Sequence, residues 1–243
     1  MLMSAARART FDTYYWLSDP LFTSWLIEHL SPLGTSVCEI GAGTGNLLPA
    51  LAKHFERVQL IEPCCFMLER LHRRSQSFPH ASIVQGCAEG IPLAEKSVDV
   101  VVAKSSLHHF DNIPKAITEM YRVARRAVAV IEVISPDDCA LEYNRHLLLT
   151  KEPGRRLETI FSEQSLVNLI RPHCLELRSL HFDQYIDIRI WLEGSDLTPD
   201  ACEQLYAYVN SQSGTIRDKM HIHFRNGRLA QLRRMALVLG SLE

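Results

Sequence analysis

Between residues 35 and 133 the chain alternates short apolar runs with helical patterns, and no other feature restricts its fold so strongly. Residues 36–40, 58–62, 82–85, 98–103 and 127–133 are runs of strand length. Between them Leu47, Leu48, Leu51 and Phe55 recur at helical spacing, as do Met67, Leu68 and Leu71, and then Ile113, Ile117, Met120 and Tyr121. Parallel strands need a crossover long enough for a helix, and helices on both faces let the strands be apolar throughout. The pattern therefore predicts an α/β fold with a parallel sheet wrapped by helices.

The chain outside that region reads differently. Residues 10–30 are rich in aromatic side chains and split at Pro20, which predicts a short N-terminal segment followed by an amphipathic helix. Residues 137–171 are helical in pattern, with a break at Pro153 and Gly154 and a new start near Ser162, where Glu163 adds a favourable charge to the first turn. Residues 175–191 read as one long strand, broken or bent, and 198–210 as a helix. Two β-like runs near the end flank Asn226 and Gly227, a hairpin signal.

Composition narrows the function classes. Lys and Arg total 26 against 28 Asp and Glu, a formal charge of −2, so no excess of positive charge points to nucleic acid or to an anionic membrane. No stretch approaches the ~18 consecutive apolar residues of a membrane span, and the N-terminal residues lack an apolar signal core. The seven cysteines are odd in number and form no C-x-x-C pair, so a reducing, cytoplasmic setting is expected. His221 and His223 alternate without a third ligand, and no metal site is expected.

The most informative short stretch is "VCEIGAGTGNLL", residues 37–48. A dinucleotide fingerprint is G-x-G-x-x-G, but here the glycines are Gly41, Gly43 and Gly45, and Asn46 stands where the third glycine would be. Glu39, two residues ahead of Gly41, would repel a pyrophosphate and would suit an ammonium group. Glu62 lies 62 − 41 = 21 residues after the first glycine, where a carboxylate can accept both hydroxyls of a ribose. The loop is thus suited to a cationic nucleoside rather than to a phosphate.

These motifs resemble the class I S-adenosylmethionine-dependent methyltransferases, within them the small-molecule branch similar to ubiquinone and menaquinone C-methyltransferases. The matching stretches are "VCEIGAGTGNL", "LIEPCCFML", "QGCAEGIPLAEKSVDVVVAKSSLHHF" and "YRVARRAVAVIEV". The resemblance covers nearly the whole chain and implies a Rossmann-like, seven-stranded, mostly parallel sheet whose last strand is antiparallel. It implies one domain over residues 1–243, with an N-terminal helical lid at 1–30 and a helical substrate-pocket segment at 135–172. It also implies S-adenosylmethionine as cofactor, with Glu39, Gly41, Ala42 and Gly43 along its methionine portion and Glu62 on the ribose. Pro63 and Met67 would flank the adenine, Ala88 and Glu89 would sit at its rim, and Lys104 and Ser105 would meet the amino-acid end through their backbone. Where the family usually has Gly-Asp-Ala-Glu, Gly86 is followed by Cys87, a weaker partner for the adenine amino group.

Binding this cofactor does not by itself say which bond breaks. Attack on the methyl carbon makes a methyltransferase; attack by the cofactor's own amine on its side chain makes a cyclase that leaves methylthioadenosine. By resemblance Phe11, Tyr14, Tyr15 and Trp16 fold over the cofactor, and an aromatic face near a sulfonium serves either reaction. His108 and His109 follow the fourth strand, where an imidazole can take a proton from an acceptor. Tyr143, Asn144, His146 and Asp183 fall in segments expected to roof the pocket. The loop after strand four, Lys104 to Leu107, lacks the Asn-Pro-Pro-Tyr arrangement of enzymes that methylate nucleobase or glutamine nitrogens, which points to a small-molecule acceptor. The expected assembly is a monomer or a homodimer.

Overall fold

A computed structural model describes residues 11–242, except for the side chains of Thr13 and Tyr15. Its centre is the sheet that the apolar runs predicted. The strands are β1 Ser36–Ile40, β2 Arg57–Glu62, β3 Ala81–Gln85, β4 Val98–Lys104, β5 Ala124–Ser135, β6 Phe161–Ser162, β7 Glu176–Asp187, β8 His223–Arg225 and β9 Arg228–Ser241. Seven of them run in the order β3-β2-β1-β4-β5-β9-β7, while β6 pairs with the end of β5 and β8 with the start of β9. The first five along this path are parallel, and β9 is antiparallel to both of its neighbours. This is the Rossmann-like topology; the two short strands are added to the seven expected.

The sequence explains the central strands directly. Every residue of β1 is buried, and β5 exposes only Arg125 and Arg126 fully, because helices cover both faces of the sheet. On one face pack α1 Pro20–Leu30, α2 Leu48–His54 and α3 Cys65–Ser75; α4 Ile113–Val123 packs on the other. Helix α4 begins where Asn112 accepts the Lys115 N–H with Pro114 in the first turn, and it buries Ile113, Ala116, Ile117 and Met120.

Strand order reverses between β1 and β4, so the loops after these strands diverge and leave a crevice at their carboxyl ends. Ser106, just past β4, closes its floor by donating to Ile40 O at 2.9 Å. Helix α5 Asp138–Lys151 and helix α6 Glu163–Ile170, which starts in a capping box at Ser162, follow β5 on either side of the break at Pro153 and Gly154.

The expected long strand over 175–191 is corrected. Strand β7 ends at Asp187, whose side chain accepts the Ile190 N–H and starts helix α7 Ile188–Glu193, so Trp191 is helical. The chain continues through α8 Pro199–Ser211 and α9 Gly214–Lys219 into the β8–β9 hairpin, which turns at Asn226 and Gly227 with φ of 52° and 74°. His221 and His223 do not form one alternating strand face, because His221 sits in a turn at φ 46° ahead of β8. No helix among the described residues is long and apolar enough to cross a membrane.

Candidate active site

The crevice opens into a cavity of about 420 Å³, the size of a small-molecule site. Its near end is built largely from backbone. Gly41 and Gly43 take φ of 72° and 58°, which an L side chain rarely adopts. A Cβ on Gly41 would fall 2.6 Å from that of Ser106, whereas a Cβ on Gly43 would meet nothing nearer than Phe11 at 3.8 Å. Gly41 is required by the fold, and Gly43 keeps open a space that the fold does not fill.

Glu62 ends β2 at the same place. Its Oε2 accepts the Gly43 N–H at 2.7 Å and its Oε1 the Cys64 N–H at 2.9 Å, which fixes the carboxylate and leaves further lone pairs on both oxygens. Burial outweighs these two bonds and raises its pKa. Pro63, Met67, Cys87, Ala88, Glu89 and Ser105 line the cavity with it.

Three expected residues lie behind this lining: Glu39, Ala42 and Lys104. Glu39 is buried, and its Oε2 has no hydrogen-bonding partner among the described residues. Burial raises the Glu39 carboxyl and lowers the Lys104 ammonium, and each opposes the other's shift through its charge. Lys104 Nζ donates to Leu17 O at 3.1 Å, so this side chain ties the N-terminal segment to the sheet, a role its expected backbone contact did not include.

That segment crosses the cavity as two 3-10 turns, Phe11–Thr13 and Tyr15–Ser18, with Phe11, Tyr14, Trp16 and Leu17 facing in. Asp12 latches it to the glycine loop and to α3, accepting from Thr44 Oγ1 at 2.5 Å and Arg70 Nη2 at 2.6 Å. Burial acts to raise the Asp12 pKa, but Thr44, Arg70 and Arg74 outweigh it and leave the carboxyl below its ordinary value. Tyr14 stacks on Trp16 at 4.9 Å between ring centres, and its hydroxyl donates to Trp191 O at 3.4 Å. The Tyr15 side chain and residues 1–10 of the expected lid lie outside the described residues.

His108 and His109 line the middle of the cavity with ring centres 4.1 Å apart. His108 Nδ1 lies 3.0 Å from Glu132 Oε2, and Glu132 Oε1 accepts the Leu107 N–H at 2.7 Å. Glu132 is 1% exposed. Burial acts to raise its carboxyl, but the His108 ring, Arg155 and the Leu107 N–H outweigh it and hold the group below the usual range. An ionised Glu132 needs a proton on Nδ1, so a neutral His108 keeps its lone pair on Nε2.

The far end was not legible in the sequence. Lys151 and Glu152 from the end of α5, Arg155 from the following loop and Arg233 from β9 line it. Of the residues expected to roof the pocket, only Asn144 lines it. Tyr143 donates to Gln231 Oε1 at 2.5 Å, His146 packs on Tyr208, and Asp183 pairs with Arg234 at 2.7 Å. Glu132 could have been suspected, since an acid inside the apolar run 127–133 needs a partner. Nothing local marks Arg155 or Arg233.

The methyltransferase domain family matches residues 38–131. The match covers less than half of the chain. The matched stretch runs from within β1 to within β5 and holds the glycine loop, Glu62 and His108, while Glu132 lies just beyond it. An uncharacterised methyltransferase of Bacillus subtilis, YcgJ, is 23% identical over 188 residues, covering 75% of this chain and 74% of that protein. Its crystal structure superposes with a TM-score of 0.75 over 86% of this chain and 92% of that one, at 21% identity. An uncharacterised methyltransferase of Schizosaccharomyces pombe is 34% identical over 108 residues, 44% of this chain and 41% of that protein. A SAM-dependent methyltransferase from Aquifex aeolicus matches with a TM-score of 0.54 at 16% identity, over 76% of this chain and 93% of the other. The likeness to methyltransferases thus holds in sequence for the matched stretch and in fold for most of the chain.

Proposed function

We propose that the protein is an S-adenosylmethionine-dependent methyltransferase that acts on a small-molecule acceptor by direct displacement at the methyl carbon. The observation that carries this reading is that one cavity joins the Gly43–Glu62 end to the His108–Glu132 pair. The site fits the cofactor in two further respects: Glu39 Oε2 is a buried acceptor without a partner among the described residues, suited to an ammonium, and Gly43 leaves room beside Glu62. When bound, S-adenosylmethionine supplies an electrophilic methyl group on a sulfonium whose leaving group is a neutral thioether.

The chain's own residues do the rest. Glu62 accepts from ribose hydroxyls, and the Asp12 latch holds residues 11–18 over the cavity as a lid that keeps water out. His108, oriented by Glu132, accepts a proton at Nε2 as the acceptor attacks, and the buried Glu132 carboxylate stabilises the imidazolium that forms. Tyr14 is held by its hydroxyl and its stack on Trp16, so it contributes an aromatic face rather than a proton.

The deciding experiment is product analysis by mass spectrometry. The protein with S-adenosylmethionine alone should give no turnover, and S-adenosylhomocysteine should appear once a metabolite extract is added. Methylthioadenosine formed without an acceptor would establish the cyclase instead, and failure to bind S-adenosylhomocysteine would remove the cofactor from the reading altogether.

A further inference from the structure

We propose that the far end of the cavity is a carboxylate subsite, in which Arg233, backed by Arg155, holds the acid group of an otherwise apolar acceptor. This inference rests on the methyltransferase reading for the identity of the occupant, while the site itself rests on charge and hydrogen bonding.

The charges at this end do not balance. Lys151, Arg155 and Arg233 supply three cations, and Glu132 and Glu152 two carboxylates. Glu152 is shared, with Arg155 Nη1 at 3.1 Å and Lys151 Nζ at 3.5 Å, and Glu132 is engaged by His108 and the Leu107 N–H. The other charged groups around the cavity lie elsewhere: Glu89 accepts the Asn112 N–H beside the near end, and Asp111 is exposed. Arg234 is matched by Asp183, Glu62 lies at the opposite end, Lys104 and Glu39 oppose one another behind the wall, and Asp196 is exposed. Leaving His108 out of the count, one positive charge is left over among the described residues at this end.

Arg233 is the group that carries it. Its guanidinium has five N–H donors, yet among the described residues it makes one hydrogen bond, a long one of 3.4 Å to Ser105 Oγ, and no ion pair. Burial pushes its pKa down to about 10, with Glu132 acting against that shift and Arg155 adding to it. The side chain stays charged at neutral pH while short of partners. Arg155 Nε, also buried, has no hydrogen-bonding partner among the described residues. Desolvated cations with unused donors are costly unless an anion meets them, and a planar carboxylate matches the fork of a guanidinium.

The balance also selects among anions. One surplus charge is neutralised by a monoanion, whereas a phosphate dianion would leave the pocket negative beside Glu132 and Glu152. Leu147, Leu148, Ile160 and Trp191 line the space around these groups, so the body of the acceptor is apolar. Because His108 is poised to remove a proton, the carboxylate serves as a handle and a hydroxyl or acidic carbon elsewhere on the molecule is methylated.

The test uses small probes on the whole chain. Wild-type protein is first titrated with S-adenosylhomocysteine, and then with benzoate, phenylacetate and octanoate, each against its neutral amide. At least one acid should bind about tenfold more tightly than its amide, the difference a charge-assisted hydrogen bond supplies. Arg233→Gln should abolish that preference while leaving S-adenosylhomocysteine affinity unchanged, and Arg155→Gln should reduce it less. Equal binding of every acid and its amide in the wild type overturns the proposal without any variant having to fold. So does a preference that survives Arg233→Gln.

The cofactor's own carboxylate is the other source of the same chemistry. If Arg233→Gln weakens S-adenosylhomocysteine but not its decarboxylated analogue, Arg233 belongs to the cofactor and the acceptor subsite is refuted. If the wild type does not bind S-adenosylhomocysteine at all, the methyltransferase reading fails, and the acid and amide titrations on the free protein still decide the anion site.

Discussion

The two ends of the cavity are built by different means. At the near end, backbone does most of the work: Gly41 and Gly43 at positive φ, and N–H groups of Gly43 and Cys64 holding Glu62. At the far end, charged side chains from β5, the end of α5 and β9 meet across distances in sequence of up to about a hundred residues. A backbone-built surface suits a ligand that does not vary, because its geometry is fixed by local conformation. A surface built from side chains can be altered one residue at a time without disturbing the sheet, which suits the part of a site that chooses a substrate.

The sharpest way to break this comparison is through the two glycines. Gly41→Val should cost stability twice over, through backbone strain of about 1–3 kcal/mol and through the clash with Ser106, and melting curves should show a protein largely unfolded. Gly43→Val carries similar strain without the clash, so it should fold at a lower melting temperature and lose S-adenosylhomocysteine binding. If the two variants behave alike, Gly43 is a structural residue and not part of a ligand cradle.

Activity should separate the middle of the cavity from both ends. His108→Ala should lower kcat by roughly 10²–10⁴ with little change in cofactor affinity, and Glu132→Gln should follow it by mispositioning the ring. A variant of His108 with unchanged kcat would reduce the pair to a structural contact. Glu62→Ala should act oppositely: about a tenfold to hundredfold loss of cofactor affinity by titration, from lost charge-assisted hydrogen bonds.

The smallest expected effect is at the latch. Asp12→Asn removes partly exposed ion pairs to Arg70 and Arg74, worth about 0.2–1 kcal/mol, and should raise the KM for the cofactor a few-fold. Because the folded pKa of Asp12 lies below its ordinary value, its contribution is complete above the unfolded pKa and is lost as pH falls through the folded one. A melting-temperature difference between wild type and Asp12→Asn should therefore be present at neutral pH and vanish in strong acid.

The sequence alone determined the sheet and the near end of the site, because both depend on local signals. Apolar runs of strand length, helical spacing between them and glycines at fixed offsets are all visible within a window of a few residues, and the carboxylate of Glu62 stands at a set distance from the loop. The strand over 175–191 ends early for a reason just as local: the apolar pattern runs on, but Asp187 caps a helix there. Only the tertiary structure could decide the far end. Nothing in the sequence links Lys151, Arg155 and Arg233, which are far apart along it, to the one acid, Glu132, inside the apolar run 127–133. They become a site because β9 enters the sheet antiparallel beside β5, and because the chain after α5 folds back over the ends of both strands. Burial and mutual charge, which give these groups their chemistry, are properties of that arrangement and of no stretch of sequence taken singly.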